Sequence, residues 1–159
     1  FLTAANAVED FKNQDTILFG SNTLDTLVFG STPADKFWVD VFTKCKEFTP
    51  IYSSIPELIM TKYVRNSFLA VKVAFFNEIY DLCQERNDID YDEIASLAGL
   101  DDRIGKSHMQ VPGPDGDRGF GGACFPKDTK ALQATFQAND LKPYILSSVI
   151  RANNRIRNP

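Results

Sequence analysis

The chain has 159 residues, a length that suits a single domain with its own hydrophobic core. Its 43% apolar and 24% charged residues are ordinary for a globular protein, and no apolar run is long enough to span a membrane. The net charge of −4 argues against a protein that coats nucleic acid, but it is compatible with a nucleotide ligand held by a few local cations.

The three cysteines and the single histidine restrict the chemistry further. Cys45, Cys83 and Cys124 are far apart and form no Cys-x-x-Cys pair, so we expect no zinc or other metal site. Free thiols are typical of a reducing compartment, which predicts a cytoplasmic protein. No basic segment precedes an apolar stretch, so no signal peptide is predicted, and Phe1 predicts that the native start lies upstream.

The first 54 residues predict a small α/β part. A buried strand over Thr16–Gly20 is followed by a helix from Pro33 to Phe48 and by a strand from Thr49 to Ser53. Residues 1–13 predict a short helix or turn, and residues 22–30 are ambiguous but compatible with another strand. One strand–helix–strand is too little for a complete Rossmann domain, and the chain contains no Gly-x-Gly-x-x-Gly.

A long helix is predicted over residues 55–87, with Ser54 and Glu57 as a capping box at its start. Its predicted apolar stripe comprises Ile55, Leu58, Ile59, Leu69, Val73, Phe76, Tyr80 and Cys83. Lys62 and Asn66 interrupt this stripe one turn apart. They are either a lysine with a packed stem and a core amide, or functional residues that face a site.

The remaining residues, 88–159, predict only helices and loops. Asp90 or Asp92 caps a short helix, and the prolines and glycines of Met109–Asp117 indicate a loop. Two further helices are predicted, from the residues after Cys124 to about Asn139 and from Leu141 to Ile156.

The stretch from Gly119 to Asp128 places a cysteine between glycines and a predicted helix start. It reads Gly-Phe-Gly-Gly-Ala-Cys-Phe-Pro-Lys-Asp, and its proline and aspartate suit the first turn of a helix. A helix N-terminus and the neighbouring Lys127 both favour the thiolate form of Cys124. Cys45 and Cys83 instead fall in predicted apolar stripes. Cys124 is therefore either a small buried packing residue or the most reactive of the three thiols.

This stretch resembles the catalytic cysteine segment of the UDP-glucose/GDP-mannose dehydrogenase family, with its glycines, cysteine, proline, lysine and aspartate at the family's spacing. Residues 61–70, Thr-Lys-Tyr-Val-Arg-Asn-Ser-Phe-Leu-Ala, resemble the family's Lys-Tyr-x-x-Asn-x-Phe-Leu-Ala helix. Residues 100–105, Leu-Asp-Asp-Arg-Ile-Gly, resemble its Asp-x-Arg-Ile-Gly segment, and Phe1-Leu2 resembles a Phe-Leu pair late in its NAD-binding domain.

The resemblance implies a mainly α fold with a small α/β N-terminal part, a partial Rossmann-like end. Residues 1–54 would be the C-terminal part of the NAD-binding domain, and residues 55–87 the long connecting helix. Residues 88–159 would be an all-helical central domain, similar to the C-terminal domain of 6-phosphogluconate dehydrogenase, that forms a homodimer. The chain corresponds to the middle of a family member, so the flanking NAD-binding and UDP-binding parts are expected to be missing and the chain alone to be inactive.

The resemblance also implies an activity. Family members oxidise the C6 alcohol of a nucleotide sugar, such as UDP-glucose, to a carboxylate with two NAD+ per sugar. A cysteine captures the intermediate aldehyde as a thiohemiacetal, which becomes a thioester and is hydrolysed. The alternative is a non-catalytic helical module for dimerisation or substrate binding. A cysteine hydrolase is disfavoured, because the only histidine lies in a predicted loop.

The catalytic roles carry over residue by residue. Cys124 corresponds to the nucleophile. Lys62 offers a cation for the developing alkoxide, with Asn66 as an uncharged donor beside it. Asp128 would hold water or exchange its proton with Lys62.

The resemblance further implies a set of residues that bind substrate. These residues are Phe1, Leu2, Arg103, His108 and Gly121. Arg103 would reach the substrate across a subunit interface, or it is a surface arginine paired with Asp101 or Asp102. Lys127 either pairs with a phosphate of the cofactor or substrate, or is simply solvated.

Overall fold

The computed structural model describes residues 7–21 and 32–158 of the chain. In chain order its elements are α1 (Ala7–Asn13), β1 (Thr16–Ser21), α2 (Pro33–Thr43), β2 (Thr49–Ser54), α3 (Ile55–Gln84), α4 (Tyr91–Ala98), α5 (Phe125–Ala138) and α6 (Tyr144–Arg157). The fold is mainly α with a small α/β part, as the sequence predicts. The chain divides into two compact units after Lys62, so α3 begins in the first unit and ends in the second. Within the described ranges, no helix combines the length and the apolar character that a membrane crossing requires.

The first unit contains a parallel pair of strands. β1 and β2 pair in a register that places Thr16 opposite Thr49. Parallel neighbours need a crossover connection, and α2 lies between the two strands in the chain, so the predicted strand–helix–strand is confirmed. Thr32 begins α2 through a capping box with Asp35. The strand considered for residues 22–30 lies outside the described residues.

The end of α2 differs from the prediction. The helix stops at Thr43, whereas the apolar spacing predicted an end at Phe48. The ring of Phe48 instead contacts those of Phe19 and Phe42, with centroids 6.2 and 6.3 Å apart, so the chain turns back over the aromatic core before β2 begins. Cys45 is exposed just beyond the helix, so the prediction that it lies in an apolar helical stripe was wrong.

Aromatic side chains form the core of the first unit. Phe19 of β1 stacks on Tyr52 of β2 with ring centroids 5.5 Å apart. Phe42 of α2 lies 5.8 Å from Phe11 of α1, so all four elements contribute a ring. Aromatic pairs of this kind add about 0.5–1.5 kcal/mol each beyond the burial of their area.

The start of α3 confirms the predicted capping box. The Ser54 hydroxyl accepts from the Glu57 N–H at 3.4 Å, and the Glu57 carboxylate accepts from the Ser54 N–H at 3.1 Å. The buried face of α3 differs from the predicted stripe and consists of Ser67, Ala70, Ala74, Phe76, Asn77 and Cys83. Ala70 and Ala74 pack against Phe120, so small side chains are buried here while larger apolar neighbours remain exposed.

A second core cluster joins α3 to α4 and to the loop that follows α4. Phe76 packs with Tyr91 and Met109, and the Tyr91 hydroxyl donates to the Met109 carbonyl. Burial raises the pKa of Tyr91 to about 12, so the phenol remains a donor at neutral pH. Of the two predicted caps it is Asp90 that begins α4, because its carboxylate accepts from the Glu93 N–H at 2.8 Å.

The last two helices follow the predictions within a few residues. α5 ends at Ala138 with Asn139 as its C-cap. α6 begins at Tyr144 and not at Leu141, because the residue before Pro143 avoids the α conformation. The residues from 99 to 124 form no regular helix or strand, which agrees with the predicted loop.

Candidate active site

Cys124 lies at the N-terminal end of α5. It is the N-cap residue of that helix, its thiol makes no capping hydrogen bond, and the residue is exposed. Its carbonyl accepts from the backbone N–H of Asp128 at 2.9 Å, which begins the helical ladder. The predicted helix start at the cysteine is confirmed. Because the residue is exposed, the structure does not support the alternative of a buried packing cysteine.

A polar cluster centred on Asp128 lies one turn into α5. The Asp128 side chain is fully buried, and its Oδ2 accepts from Nδ2 of Asn66 on α3 at 2.6 Å. Its Oδ1 pairs with the Lys127 ammonium, and this ion pair raises the pKa of Lys127. A buried carboxylate is expensive without such partners. The structure therefore brings together three of the predicted site residues, and their position in the chain places Cys124 at the start of the same helical turn.

Lys62 lies one turn before Asn66 on α3 and is exposed. The four-residue spacing puts both side chains on one face of the helix. Lys62 is the last residue of the first compact unit, whereas Asn66 belongs to the second. The catalytic role of Lys62 stays a prediction.

Tyr63 lies near this cluster, although the sequence did not single it out as a candidate site residue. After Asp128, the charges of the Tyr63 phenol and the Cys124 thiol also contribute to the raised pKa of Lys127, so both groups lie within electrostatic range of that ammonium. The signal was present in the sequence, since Tyr63 is the second residue of the Lys-Tyr motif on α3.

The three glycines that precede Cys124 meet different requirements. Gly119 and Gly122 both have a φ of +73°, a left-handed conformation that glycine adopts without strain. A Cβ on Gly121 would lie 2.5 Å from Cζ of Arg157. The backbone at Gly121 therefore closely approaches a guanidinium of α6. Substrate binding by Gly121 stays a prediction.

Two buried amides hold the first part of this glycine-rich loop. Oδ1 of Asn77 on α3 accepts from the Gly119 N–H at 3.0 Å. Asn153 on α6 accepts from the Phe120 N–H at 2.7 Å and donates to the Phe120 carbonyl at 2.9 Å. The two amides thus satisfy backbone groups of a buried loop that belongs to no regular element.

The turn that carries Arg103 is tied to α3. Arg103 pairs with Asp101 at 2.5 Å, and its side chain is 89% exposed. This is the surface pairing that the sequence offers as the alternative to substrate binding. The Lys72 ammonium donates to the carbonyls of Ile104 and Gly105, each at 2.9 Å, and so anchors the turn from the other side.

His108 lies between this turn and α5. Its φ of +63° is uncommon for a residue other than glycine, and its ring centroid lies 5.6 Å from that of Phe125. Burial, and then the charge of Lys72, lowers the pKa of His108. The neutral ring is therefore favoured at neutral pH and can both donate and accept a hydrogen bond. The other candidate substrate residues, Phe1 and Leu2, lie outside the described residues.

His108 should titrate below the ordinary histidine pKa of about 6.5, and Lys72→Met should raise the pKa of His108 by removing a nearby cation. The chain has one histidine, so its single imidazole signal in an NMR pH titration reports this residue alone. Because the pKa is lower in the folded state, the stabilisation from His108 is complete above the unfolded pKa. It is lost as the pH falls through the folded pKa. Lys72→Arg, which keeps the charge, is the control, and identical titration of Lys72→Met and the parent would contradict the argument.

Alkylation at neutral pH should label Cys124 faster than Cys45, and should label Cys83 only on unfolding. Cys83 is buried, whereas Cys45 and Cys124 are both exposed. Of the three thiols, Cys124 is the one at a helix N-terminus with a lysine, Lys127, three residues on, a setting typical of reactive cysteines. Peptide mass spectrometry after timed iodoacetamide treatment measures the three rates. Lys127→Gln should slow Cys124 but leave Cys45 unchanged, and faster labelling of Cys45 in the parent would refute the assignment.

The helical part of the chain matches a known family. Residues 58–155 match the central domain of the UDP-glucose/GDP-mannose dehydrogenase family. This region takes in α3 from its second turn through most of α6, and it contains Asn66, Cys124 and Asp128. The match covers more than half of the sequence, so the chain belongs to the UDP-glucose/GDP-mannose dehydrogenase family.

Individual relatives with similar sequences or structures are UDP-glucose dehydrogenases. The chain is 37% identical over 161 residues to a UDP-glucose 6-dehydrogenase of Rickettsia bellii, covering 96% of this chain and 32% of the relative. It is 31% identical over 157 residues to the UDP-glucose 6-dehydrogenase TuaD of Bacillus subtilis, covering 99% of this chain and 31% of the relative. A solved UDP-glucose dehydrogenase from Pyrobaculum islandicum superposes with a TM-score of 0.74 at 30% identity, over 98% of this chain and 32% of that one. The chain therefore spans about a third of the length of these relatives.

Proposed function

We propose that this chain is the cysteine-bearing middle segment of a nucleotide-sugar 6-dehydrogenase, which oxidises UDP-glucose or a related sugar nucleotide to the uronic acid. The observation that carries the proposal is the cluster in which the buried Asp128 pairs with Asn66 and Lys127, one helical turn from the exposed Cys124 at the start of α5. The names of the relatives support the same substrate class.

In this proposal Cys124 performs the covalent steps. Once C6 of the sugar is an aldehyde, the sulfur adds to C6 and forms a C–S bond, while the aldehyde oxygen takes up a proton and becomes a thiohemiacetal hydroxyl. The thiohemiacetal would become a thioester if C6 gave up a hydride to a nicotinamide cofactor held outside this segment and the hydroxyl gave up its proton. Water then attacks the same carbon, the C–S bond breaks, and the acid and the free thiol are released.

The other site residues would stabilise charge and transfer protons at C6 of the sugar. Asn66 donates to Asp128 at 2.6 Å, so this carboxylate is held in one orientation. An oriented, buried carboxylate is suited to hold the hydrolytic water or to accept its proton. Lys62, one turn before Asn66 on α3, would stabilise the negative charge that develops on the C6 oxygen.

The substrate contacts are also part of the proposal. Lys127 already pairs with Asp128, yet its side chain remains 60% exposed and can meet a phosphate. His108 is favoured as the neutral ring beside Phe125, which suits a hydrogen bond to a sugar hydroxyl. Arg103 would exchange its exposed pairing with Asp101 for a pairing with the substrate of a neighbouring subunit.

Two NAD+ would accept the two hydrides, but the residues of this chain do not fit a complete site for that cofactor. The pyrophosphate of a dinucleotide binds at a glycine-rich turn that leads into a helix N-terminus. The 159 residues contain no Gly-x-Gly-x-x-Gly, and the described strands form only one parallel pair. We therefore expect the chain alone to form no NADH with any nucleotide sugar.

A chimera tests the proposed activity. The chain would replace the matching third of the Rickettsia bellii enzyme, whose flanks would then supply the remaining parts. We expect NADH from UDP-glucose in the chimera, with two NADH per uronic acid, and none from the 159-residue chain. A folded chimera that binds UDP-glucose but oxidises neither UDP-glucose nor GDP-mannose would refute the proposal, and so would sustained turnover by the chain alone.

We also propose that the second unit forms a homodimer, which is the non-catalytic role open to this chain. Large apolar side chains on α3 and α6 are exposed, among them Phe75 at 53%, Tyr144 at 74% and Ile145 at 69%. These three residues line a groove of about 380 Å³ between the two helices. Exposed apolar surface of this kind usually marks an interface.

Sedimentation tests the dimer. The 159-residue chain should sediment as a dimer at micromolar concentration, and Ile145→Asp should shift it to a monomer by placing a charge in the apolar surface. Leu97→Asp is the matched control, because Leu97 is 58% exposed on α4 and does not line the groove. A monodisperse monomer for the parent chain would contradict the dimer.

A further inference from the structure

Arg157, in the last turn of α6, contacts the glycine-rich loop at several points. Its Nη2 donates to Oδ2 of Asp115 at 2.5 Å, and its Nη1 to Oδ2 of Asp117 at 3.4 Å. Nη2 also lies 3.4 Å from the carbonyl oxygen of Gly119. The Arg157 side chain is 21% exposed, whereas those of Asp115 and Asp117 are 44% and 72% exposed. A guanidinium with two carboxylate partners is a rigid fork that fixes the groups it binds.

The face of this guanidinium lies against the backbone of Gly121. A Cβ at Gly121 would lie 2.5 Å from Cζ, 2.5 Å from Nη1 and 2.7 Å from Nη2 of Arg157. Distances this short are not compatible with any side chain at position 121 unless the guanidinium moves. Only Gly122 and Ala123 separate this contact from Cys124.

The residues from Gly121 to Ala123 lie between the other polar contacts of the loop and the start of α5. Asn77 and Asn153 hold Gly119 and Phe120, and the next backbone contact in the chain is the helical bond of the Cys124 carbonyl. The three atoms nearest to a Cβ at Gly121 all belong to the Arg157 guanidinium, which therefore packs against the loop between the amide contacts and α5. Movement of Arg157 would change the path of the three residues that lead to the thiol.

We infer that Arg157 is a positioning residue for Cys124. Its contacts are with Asp115, Asp117 and the loop backbone at Gly119 and Gly121, so it acts on Cys124 through that backbone. The inference depends on the proposed function in one respect only, which is that Cys124 has a reaction to perform. Its direct effect is to hold the thiol at the N-terminal end of α5, within range of Lys127.

The test measures alkylation of Cys124 in the 159-residue chain as a function of pH, with the exposed Cys45 as an internal reference. Arg157→Gln should slow Cys124 at pH 7 by roughly threefold to tenfold and so change its labelling profile, because the thiol is no longer held at the N-terminal end of α5. Arg157→Lys keeps the charge and should restore part of the rate. Arg155→Gln, at an exposed position on the same helix, should leave the profile of the parent.

A second variant keeps the inference falsifiable if Arg157→Gln unfolds. Gly121→Ala pushes on the guanidinium from the loop side and should give the same shift of the Cys124 profile. Circular dichroism confirms that each variant is folded. A folded Arg157→Gln or Gly121→Ala with the parent's Cys124 profile would overturn the inference. The readout needs no turnover, so a shifted profile together with an inactive chimera would refute the proposed function alone.

Discussion

Cys124→Ser in the chimera should reduce uronic acid formation by roughly 10³-fold or more, because a serine hydroxyl is a far weaker nucleophile than a thiolate at neutral pH. Cys124 is exposed at the start of α5, so the substitution alters no buried contact and the variant should fold. Binding of UDP-glucose should remain close to that of the parent, since the sulfur acts after the substrate is bound. The measurements are uronic acid by chromatography and UDP-glucose affinity by calorimetry.

Cys45→Ser is the matched control for this prediction. Cys45 is also exposed, but it follows α2 in the first unit and lies next to none of the predicted catalytic residues in the chain. This variant should retain normal acid formation. If Cys124→Ser made the acid at the rate of the parent, Cys124 would not be the nucleophile and the chemistry proposed for this segment would fail.

Asp128→Asn should lower kcat in the chimera by roughly two to four powers of ten, which is the range for loss of an acid–base group. The substitution keeps the size of the side chain but removes its charge. It leaves the Lys127 ammonium without its carboxylate, and it allows an amide NH₂ to face the NH₂ of Asn66. Steady-state kinetics with UDP-glucose measure the effect, which should fall on kcat more than on KM.

Two controls separate chemistry from stability in that experiment. Asp128 is fully buried, so loss of its contacts should also destabilise the fold, by about 1–3 kcal/mol for buried groups left unsatisfied. Thermal unfolding measures that loss, and kinetics are compared well below the transition. Asp102→Asn, at an exposed position in the turn before Arg103, should change neither kcat nor the stability to thermal unfolding. A kcat for Asp128→Asn within twofold of the parent would leave Asp128 with a structural role only.

Local sequence patterns predicted the secondary-structure elements whose starts are set by neighbouring residues. The capping box of Ser54 and Glu57, the Asp90 cap of α4 and the start of α5 at Cys124 each depend on residues within four positions of one another. Hydrogen bonds and propensities at that range are readable from the sequence itself. The strand–helix–strand of the first unit was predictable for the same reason, because hydrophobic runs and a proline punctuate it.

The contacts that shape the site are non-local, and no local pattern predicts them. Asn153 meets Phe120 over a separation of 33 residues, and Asn77 meets Gly119 over 42. Arg157 pairs with Asp115, which lies 42 residues away in the chain. Its guanidinium also lies against Gly121, which was predicted to bind substrate. Asn66 and Asp128, which pair over 62 residues, were assigned to one site only through the family resemblance, which did not predict their hydrogen bond.

The buried amide of Asn153 also makes the loop sensitive to a slow chemical change. It serves both the N–H and the carbonyl of Phe120, so its nitrogen and oxygen cannot exchange places. Deamidation to aspartate would replace the nitrogen donor by an oxygen that faces the Phe120 carbonyl, turning attraction into repulsion between two buried acceptors. Deamidation of this one side chain of α6, which is far from Cys124 in the sequence, would therefore loosen the segment that leads to the thiol.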